Sequence, residues 1–311
     1  MKTPEFLARL KPWMLPIAMV CGFLFHNVID AVQFLAPYLI FAMLLITFCR
    51  IRPSDFHISG LTWRVVAVQV IGGIIAYFAL VPLSKDLAEG TMICVLCPTA
   101  TAAPVITAML GGSIATLVTI SIFSNLALAV VGPLFLAFAS EGTAMEMSFA
   151  DSFLAILSMV GPMIVGPMAV AFLLSGVTPR LHRSLADHQS LSFYLWAISL
   201  ILVVGRAVTF ALAEPADRIP EMIALSILAG VACIIQFAIG RRIGRKYGDR
   251  IAGAQGLGQK NTVLAVWLAT SYLNPISSIA PAAYIAWQNT INSLQIYRQN
   301  KHQKCQTYST H

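Results

Sequence analysis

The stretch Gly253-Ala-Gln-Gly-Leu-Gly-Gln-Lys-Asn261 lies inside an apolar run that extends over 249–272. Three glycines and four polar side chains, Gln255, Gln259, Lys260 and Asn261, stand where a continuous apolar helix would otherwise form. Glycine weakens a helix, and helices with polar insertions kink or open. The run is therefore expected to break near Gly253–Gly258. A second interrupted run, 89–110, contains Cys97-Pro-Thr-Ala-Thr-Ala-Ala-Pro104, with Pro98 and Pro104 flanking Thr99 and Thr101. Proline removes a backbone donor and clashes with the preceding turn. A break near Pro98–Pro104 is expected there too.

Working outward, the rest of the chain is more apolar still. Of its 311 residues, 58% are hydrophobic and only 11% are charged. A soluble domain carries about 25% charge. The mean hydropathy of +0.79 excludes a water-soluble surface, and the scarcity of charge excludes a disordered chain. A bilayer-spanning helix needs about 20 apolar residues. Ten runs qualify: 13–29, 31–49, 62–84, 89–110, 113–139, 152–176, 191–213, 220–240, 249–272 and 276–297. The first follows Lys2, Arg9 and Lys11 and lacks an A-x-A cleavage pattern, so it reads as a retained span. The fold class is an all-α integral membrane protein with ten transmembrane helices.

The net charge of +7 invites a nucleic-acid reading, but the placement of the charges points to topology instead. Lys2, Arg9, Lys11, Arg50, Arg52, Arg64, Arg180, Arg183, Arg241, Arg242, Arg245, Lys246, Arg250, Arg298, Lys301 and Lys304 fall on one side. Lys85 and Arg218 fall on the other, with Asp30, Asp86, Glu89, Glu141, Glu146, Asp151, Glu214, Asp217 and Glu221. Both termini are then cytoplasmic, in a multi-pass protein of the cell membrane. The expected partners are the bilayer and a small molecule; no nucleic acid and no obligatory protein partner is inferred. Two cations remain inside spans, Arg206 and Lys260, and no acid lies deep in any span.

Broken backbone at membrane depth survives only where protein or water satisfies it. Interrupted spans at matching positions of two halves point to a transporter site. The breaks fall in the fourth and ninth runs, so the halves contain five spans each and the second is inverted. Cations without acids at depth imply an anionic substrate. Catalysis finds no support: intramembrane proteolysis needs paired aspartates, a Ser–His pair or a metal set. The runs contain neither deep acids nor a G-x-S-x-G pattern. Cys94-Val-Leu-Cys97 is a lone CxxC without clustered histidines, so no metal or other cofactor is expected.

The order of motifs resembles the bile acid:sodium symporter family. Gly258-Gln-Lys-Asn-Thr-Val-Leu-Ala265, Pro281 and Trp287-Gln-Asn289 resemble its spans 9 and 10. Pro98 with the small residues after it, Val105-Ile-Thr107 and Gly112 resemble span 4, and Gln69 stands where that family often has a glutamine. The resemblance implies two inverted five-helix repeats whose broken helices, spans 4 and 9, cross. It implies a panel domain (1–50 and 151–214, spans 1, 2, 6 and 7) and a core domain (61–139 and 220–297, spans 3–5 and 8–10), with 298–311 as a cytoplasmic tail. Organic anions, chiefly carboxylates, would bind between the two domains beside the crossing.

Sodium-coupled members carry Ser-Asn after the span 4 break, where this chain has Ala103-Pro104. Their span 9 pattern Glu-x-Gly-x-Gln-Asn places Gly256 at the glutamate and Lys260 at the glutamine, and their span 5 hydroxyls fall at Leu117 and Ser121. A hard cation needs several oxygen ligands. The expectation is a sodium-independent transporter in which the Lys260 ammonium takes the ion's place. It would bridge the break to carbonyls and to Gln69, Gln259 or Asn261. Candidate site residues are Lys260, Gln259, Asn261, Gln255, Gly256, Gly258, Pro98, Thr99, Thr101, Ala103, Pro104, Gln69, Ser121, Gln288, Asn289 and Arg206. A sodium symporter with rearranged ion sites and an anion channel are the alternatives.

Overall fold

The structure is a computed structural model that describes residues 14–49, 58–100, 103–140, 149–187 and 189–308. These residues are helical apart from short turns, and helices occupy all ten apolar runs. The first two runs are α1 (Met14–Leu24), α2 (His26–Ile29) and α3 (Ala36–Cys49), with a 3-10 turn at Asp30–Leu35 between α2 and α3. α4 (Gly60–Leu80) is the third, capped by the Ser59 hydroxyl. The fourth is split into α5 (Lys85–Leu96) and α6 (Ala103–Met109). α7 (Ile114–Ser140), α8 (Phe149–Val177), the exposed connector α9 (Pro179–Asp187), α10 (Gln189–Ala213) and α11 (Ile219–Lys246) follow. The ninth run is split into α12 (Arg250–Gly258) and α13 (Thr262–Tyr272). α14 (Ile279–Tyr308) is the tenth and continues as helix well into the 298–311 tail.

Among the described residues, four helical stretches are long and apolar enough to cross a membrane by themselves: Ala31–Cys49, Gly60–Leu80, Ile114–Ala139 and Ala216–Lys246. Helices α1, α3, α8 and α10 pack on one another, as do α4, α5, α11, α12 and α14. α7, which packs on α4 and α8, and α13, which packs on α5, α14 and α10, join the two groups. Outward-facing Ile71, Ile75, Ile223, Ile227 and Ile234 are more than half exposed, as lipid-facing side chains would be. Three of the charges assigned to the acidic side, Asp86, Arg218 and Glu221, gather in one place. Arg218 pairs with Asp86 and, at 2.8 Å, with Glu221, which also accepts from the Ser84 hydroxyl.

The second break differs from the sequence expectation. Gly253, Gly256 and Gly258 remain helical within α12, and the chain opens after them, at Gln259–Asn261. The glycines serve packing instead. A Cβ on Gly240 or Gly253 would run into the other's carbonyl oxygen, so α11 and α12 touch backbone to backbone. Proline is also a weaker breaker here than its chemistry suggests. Pro133 lies inside α7, and Pro162 and Pro167 lie inside α8.

Candidate functional site

The two breaks lie against each other and pair as a two-residue antiparallel bridge between Thr99 and Lys260. Ala100 N–H donates to the Gln259 carbonyl at 2.9 Å, and Asn261 N–H donates to the Pro98 carbonyl at 2.8 Å. Each interrupted chain thus supplies the backbone partner that the other lost by leaving the helix.

The same convergence brings together the last turns of α5 and α12. A helix leaves its final carbonyls unpaired and carries partial negative charge there. Side chains supply the missing donors. Lys260 Nζ donates to Val95 O at 2.8 Å, and Gln69 Nε2 donates to Leu96 O at 2.7 Å. Thr99 Oγ1 donates to Gly256 O at 2.7 Å, and Tyr284 Oη donates to Gly258 O at 2.8 Å. Lys260 is 1% exposed, so its ammonium lies wholly inside the protein. Among the described residues no carboxylate pairs with it. Two helix C-termini take the place of a counter-ion.

Neighbouring helices brace this centre. Ser124 on α7 accepts from Thr99 N–H at 3.0 Å and donates to Gln69 Oε1, tying α4, α7 and the first break together. Gln288 Oε1 accepts from Lys260 N–H at 2.9 Å, which anchors the second break to α14. Asn261 Oδ1 caps α13 by accepting from Leu264 N–H at 3.2 Å. Gln259 Oε1 and Asn261 Nδ2 are buried and make no hydrogen bond among the described residues.

Four of the sodium-ligand positions named by the resemblance, Ala103, Pro104, Leu117 and Gly256, lack a polar side chain, whereas Ser121 and Lys260 keep one. Ala103 and Leu117 are fully buried and pack in one cluster with Ala100 and Ala252. Pro104 is buried beside Ala103 at the start of α6. Gly256 lies against α7, where a Cβ would come within 2.9 Å of the Ile120 side chain, so a glutamate there would have to displace it.

Not every candidate reaches the centre. Gln255 turns toward α14, donating to Asn292 at 3.1 Å and Gln295 at 3.3 Å. Asn289 bonds back to Ile285 O on its own helix at 2.7 Å. Arg206 lies on α10 and reaches Thr270 O, at the far end of α13 from Lys260, at 3.4 Å. Ser121 is buried on α7, but Ser124, one turn further on, is the hydroxyl that meets the break. Gln69 joins the centre through Leu96 and Ser124, not through Lys260. Thr101 lies outside the described residues.

Sequence reasoning missed Ser124, Tyr284, Asn292 and Gln295. Three had a signal: Ser124 interrupts an apolar run, and Gln288, Asn292 and Gln295 recur at helical spacing. Tyr284 had none, since a buried tyrosine looks like any other core aromatic.

Paired backbone breaks inside an apolar helical protein are the pattern that points to a membrane-transport site. The chain matches the SBF-like CPA transporter family, of bile acid:sodium symporter type, over residues 37–283, and it belongs to that family. It is similar to a protein of Bacillus subtilis (strain 168) described as an uncharacterized sodium-dependent transporter, YocS. Identity is 25% over 246 residues, covering 73% of this chain and 72% of that protein.

Proposed function

We propose that the protein is a secondary active transporter that moves an organic anion, a carboxylate, across the cell membrane by alternating access without sodium. The observation that carries this reading is the Lys260 ammonium, buried where the two helix C-termini meet and bonded to the Val95 carbonyl. A fixed cation there does the electrostatic work of a bound ion, and it would repel a sodium ion brought to the same place. The apolar cluster of Ala100, Ala103, Leu117 and Ala252 supports the same conclusion, because it offers no side-chain oxygen ligand.

Ten spans in two inverted halves, with cytoplasmic termini, complete the reading. The packing of α1, α3, α8 and α10 as one group, apart from α4, α5, α11, α12 and α14, supports a panel and a core domain that move against each other. The anion would bind between them, drawn by Lys260 and by the unpaired Nδ2 of Asn261. One observation favours a second reading, a sodium symporter with rearranged ion sites: the Bacillus subtilis relative is described as sodium-dependent.

Purified protein in proteoliposomes, offered a panel of radiolabelled organic acids with and without a sodium gradient, separates the two. Saturable uptake that persists in sodium-free buffer and shows counterflow is expected. Uptake that requires sodium and carries net charge would overturn the sodium-independent reading. Non-saturable flux without counterflow would indicate an anion channel.

A further inference from the structure

At the opposite end of α12 from Lys260, the first residue of the helix, Arg250, lines a pocket of about 510 Å³ between α11, α12 and α14. Arg241 from α11 and Arg298 from α14 also line it, together with Ile234, Phe237, Ile291 and Leu294. The volume falls in the range of small-molecule sites, roughly 300–1,000 Å³. No acid is among the lining residues, and among the described residues none of the three arginines forms an ion pair. Asp249 lies beside Arg250, but its carboxylate is engaged elsewhere: Oδ1 accepts from Ala252 N–H at 2.8 Å and Oδ2 accepts from Ser113 N–H at 3.0 Å.

Arg241 lies within electrostatic range of Arg245, Arg250 and Arg298. Like charges collected in one recess repel each other unless an anion lies among them. A polar pair lies behind the pocket wall. Gln295, on the pocket wall, shares the Gln255 amide with Asn292. Asn292 is 3% exposed, and its Nδ2 makes no hydrogen bond among the described residues. The apolar side of the pocket opens outward, with Ile234 at 55% and Leu294 at 51% exposure on helices that span the membrane in the reading above. The recess therefore combines an anion-binding end with an apolar ramp facing the bilayer.

We propose that this pocket holds the phosphate headgroup of an anionic phospholipid, bound by Arg241, Arg250 and Arg298, with an acyl chain along Ile234, Ile291 and Leu294. Basic recesses between spanning helices on the cytoplasmic side suit such headgroups, and the charge distribution places these arginines on that side. Because α12 runs from Arg250 to the break at Gln259, a lipid there braces the helix that positions Lys260. The proposal rests on the membrane-protein reading but not on the transported substrate, so the two fail separately.

The test uses the delipidated full-length protein in a neutral detergent. Phosphatidylglycerol, phosphatidylcholine, or inorganic phosphate with glycerol 3-phosphate is added, and melting temperature and native mass spectra are recorded. Phosphatidylglycerol should raise the melting temperature by several degrees and remain bound in the spectra, and the other additions should do neither. The double variant Arg241→Gln/Arg298→Gln should lose at least half of the shift, whereas Arg180→Gln/Arg183→Gln, on the exposed connector α9, should keep it. Equal stabilisation by phosphatidylcholine, or an undiminished shift in the Arg241→Gln/Arg298→Gln protein, overturns the proposal. An equal response to the soluble phosphates assigns the pocket to a free anion and overturns it as well. If the double variant melts too low to compare, wild-type retention of phosphatidylglycerol at high salt decides: a headgroup held by arginines is released as salt rises, and salt-insensitive retention counts against it.

Discussion

Between Cys97 and Ala103 the chain leaves the helix through a proline and small residues, and nothing charged is present. Between Gly258 and Thr262 it leaves through Gln259, Lys260 and Asn261, all polar and all buried. The first break contributes backbone: the carbonyls of Val95, Leu96 and Pro98 accept from Lys260, Gln69 and Asn261. The second contributes the Lys260 ammonium, beside carbonyls of its own that accept from Ala100 N–H and the Thr99 hydroxyl. The difference teaches that a crossing of broken helices needs its charge on one chain only. The partner can be bland, provided its open carbonyls face that charge. In the proposed function the chemistry of coupling would fall on the stretch between α12 and α13, while α4, α7 and α14 brace it.

The sharpest way to break this comparison is to remove the ammonium. Uptake by Lys260→Ala should fall on the order of a hundredfold, ~2.7 kcal/mol of activation free energy. The variant should still insert and elute as a monodisperse peak in detergent. Lys260→Met should lose transport equally and melt no lower than wild type, because a buried cation without an ionic partner costs stability. Wild-type uptake by either variant would refute the role given to Lys260.

The next largest effect concerns how each break is approached. Gly240→Ala should destabilise by about 3 kcal/mol, since its Cβ meets the Gly253 carbonyl and neither backbone can retreat. Gly73→Ala, before the first break, should cost about 1 kcal/mol or less, because its Cβ meets Leu96 Cβ at 3.2 Å and a small shift relieves it. Equal melting temperatures for the two variants would mean that the second break is no more tightly held than the first.

Smaller effects separate bracing from capping. Ser124→Ala leaves Thr99 N–H and Gln69 Oε1 without their shared partner and should cost about 2 kcal/mol. Asn261→Ala removes one helix cap and should cost ~1 kcal/mol. Chemical denaturation in mixed micelles reads both, and the reverse ranking would place the main brace at the second break. The smallest effect belongs to Asn289→Ala. Its amide bonds only along its own helix, so stability should stay within about 0.5 kcal/mol and uptake should be unchanged. A large loss of uptake would return Asn289 to the site from which its geometry removes it.

Much of the architecture follows from composition and spacing. Apolar runs of bilayer length, an asymmetric distribution of arginines and two interrupted runs are properties of the chain itself, and every run is helical in the structure. They are legible because burying a polar backbone in an apolar medium leaves the helix as the main solution. The choice of Lys260 followed for the same reason, since a charge at that depth is costly wherever the chain folds. Tertiary structure decided the rest. Only packing shows that Gly253 and Gly258 exist for close approach to Gly240 and Phe237 rather than to open the helix. Only packing shows that Pro133, Pro162 and Pro167 are tolerated in helices while Pro98 lies at a break. The partners of the carbonyls at each break come from α4, from α14 and from the opposite break, far away along the chain, and no local pattern records which residue arrives. Ser124 rather than Ser121, and Val95 rather than Gln69, meet their partners because helix rotation places them there. That rotation is set by the sum of many apolar contacts, which a linear sequence does not display residue by residue.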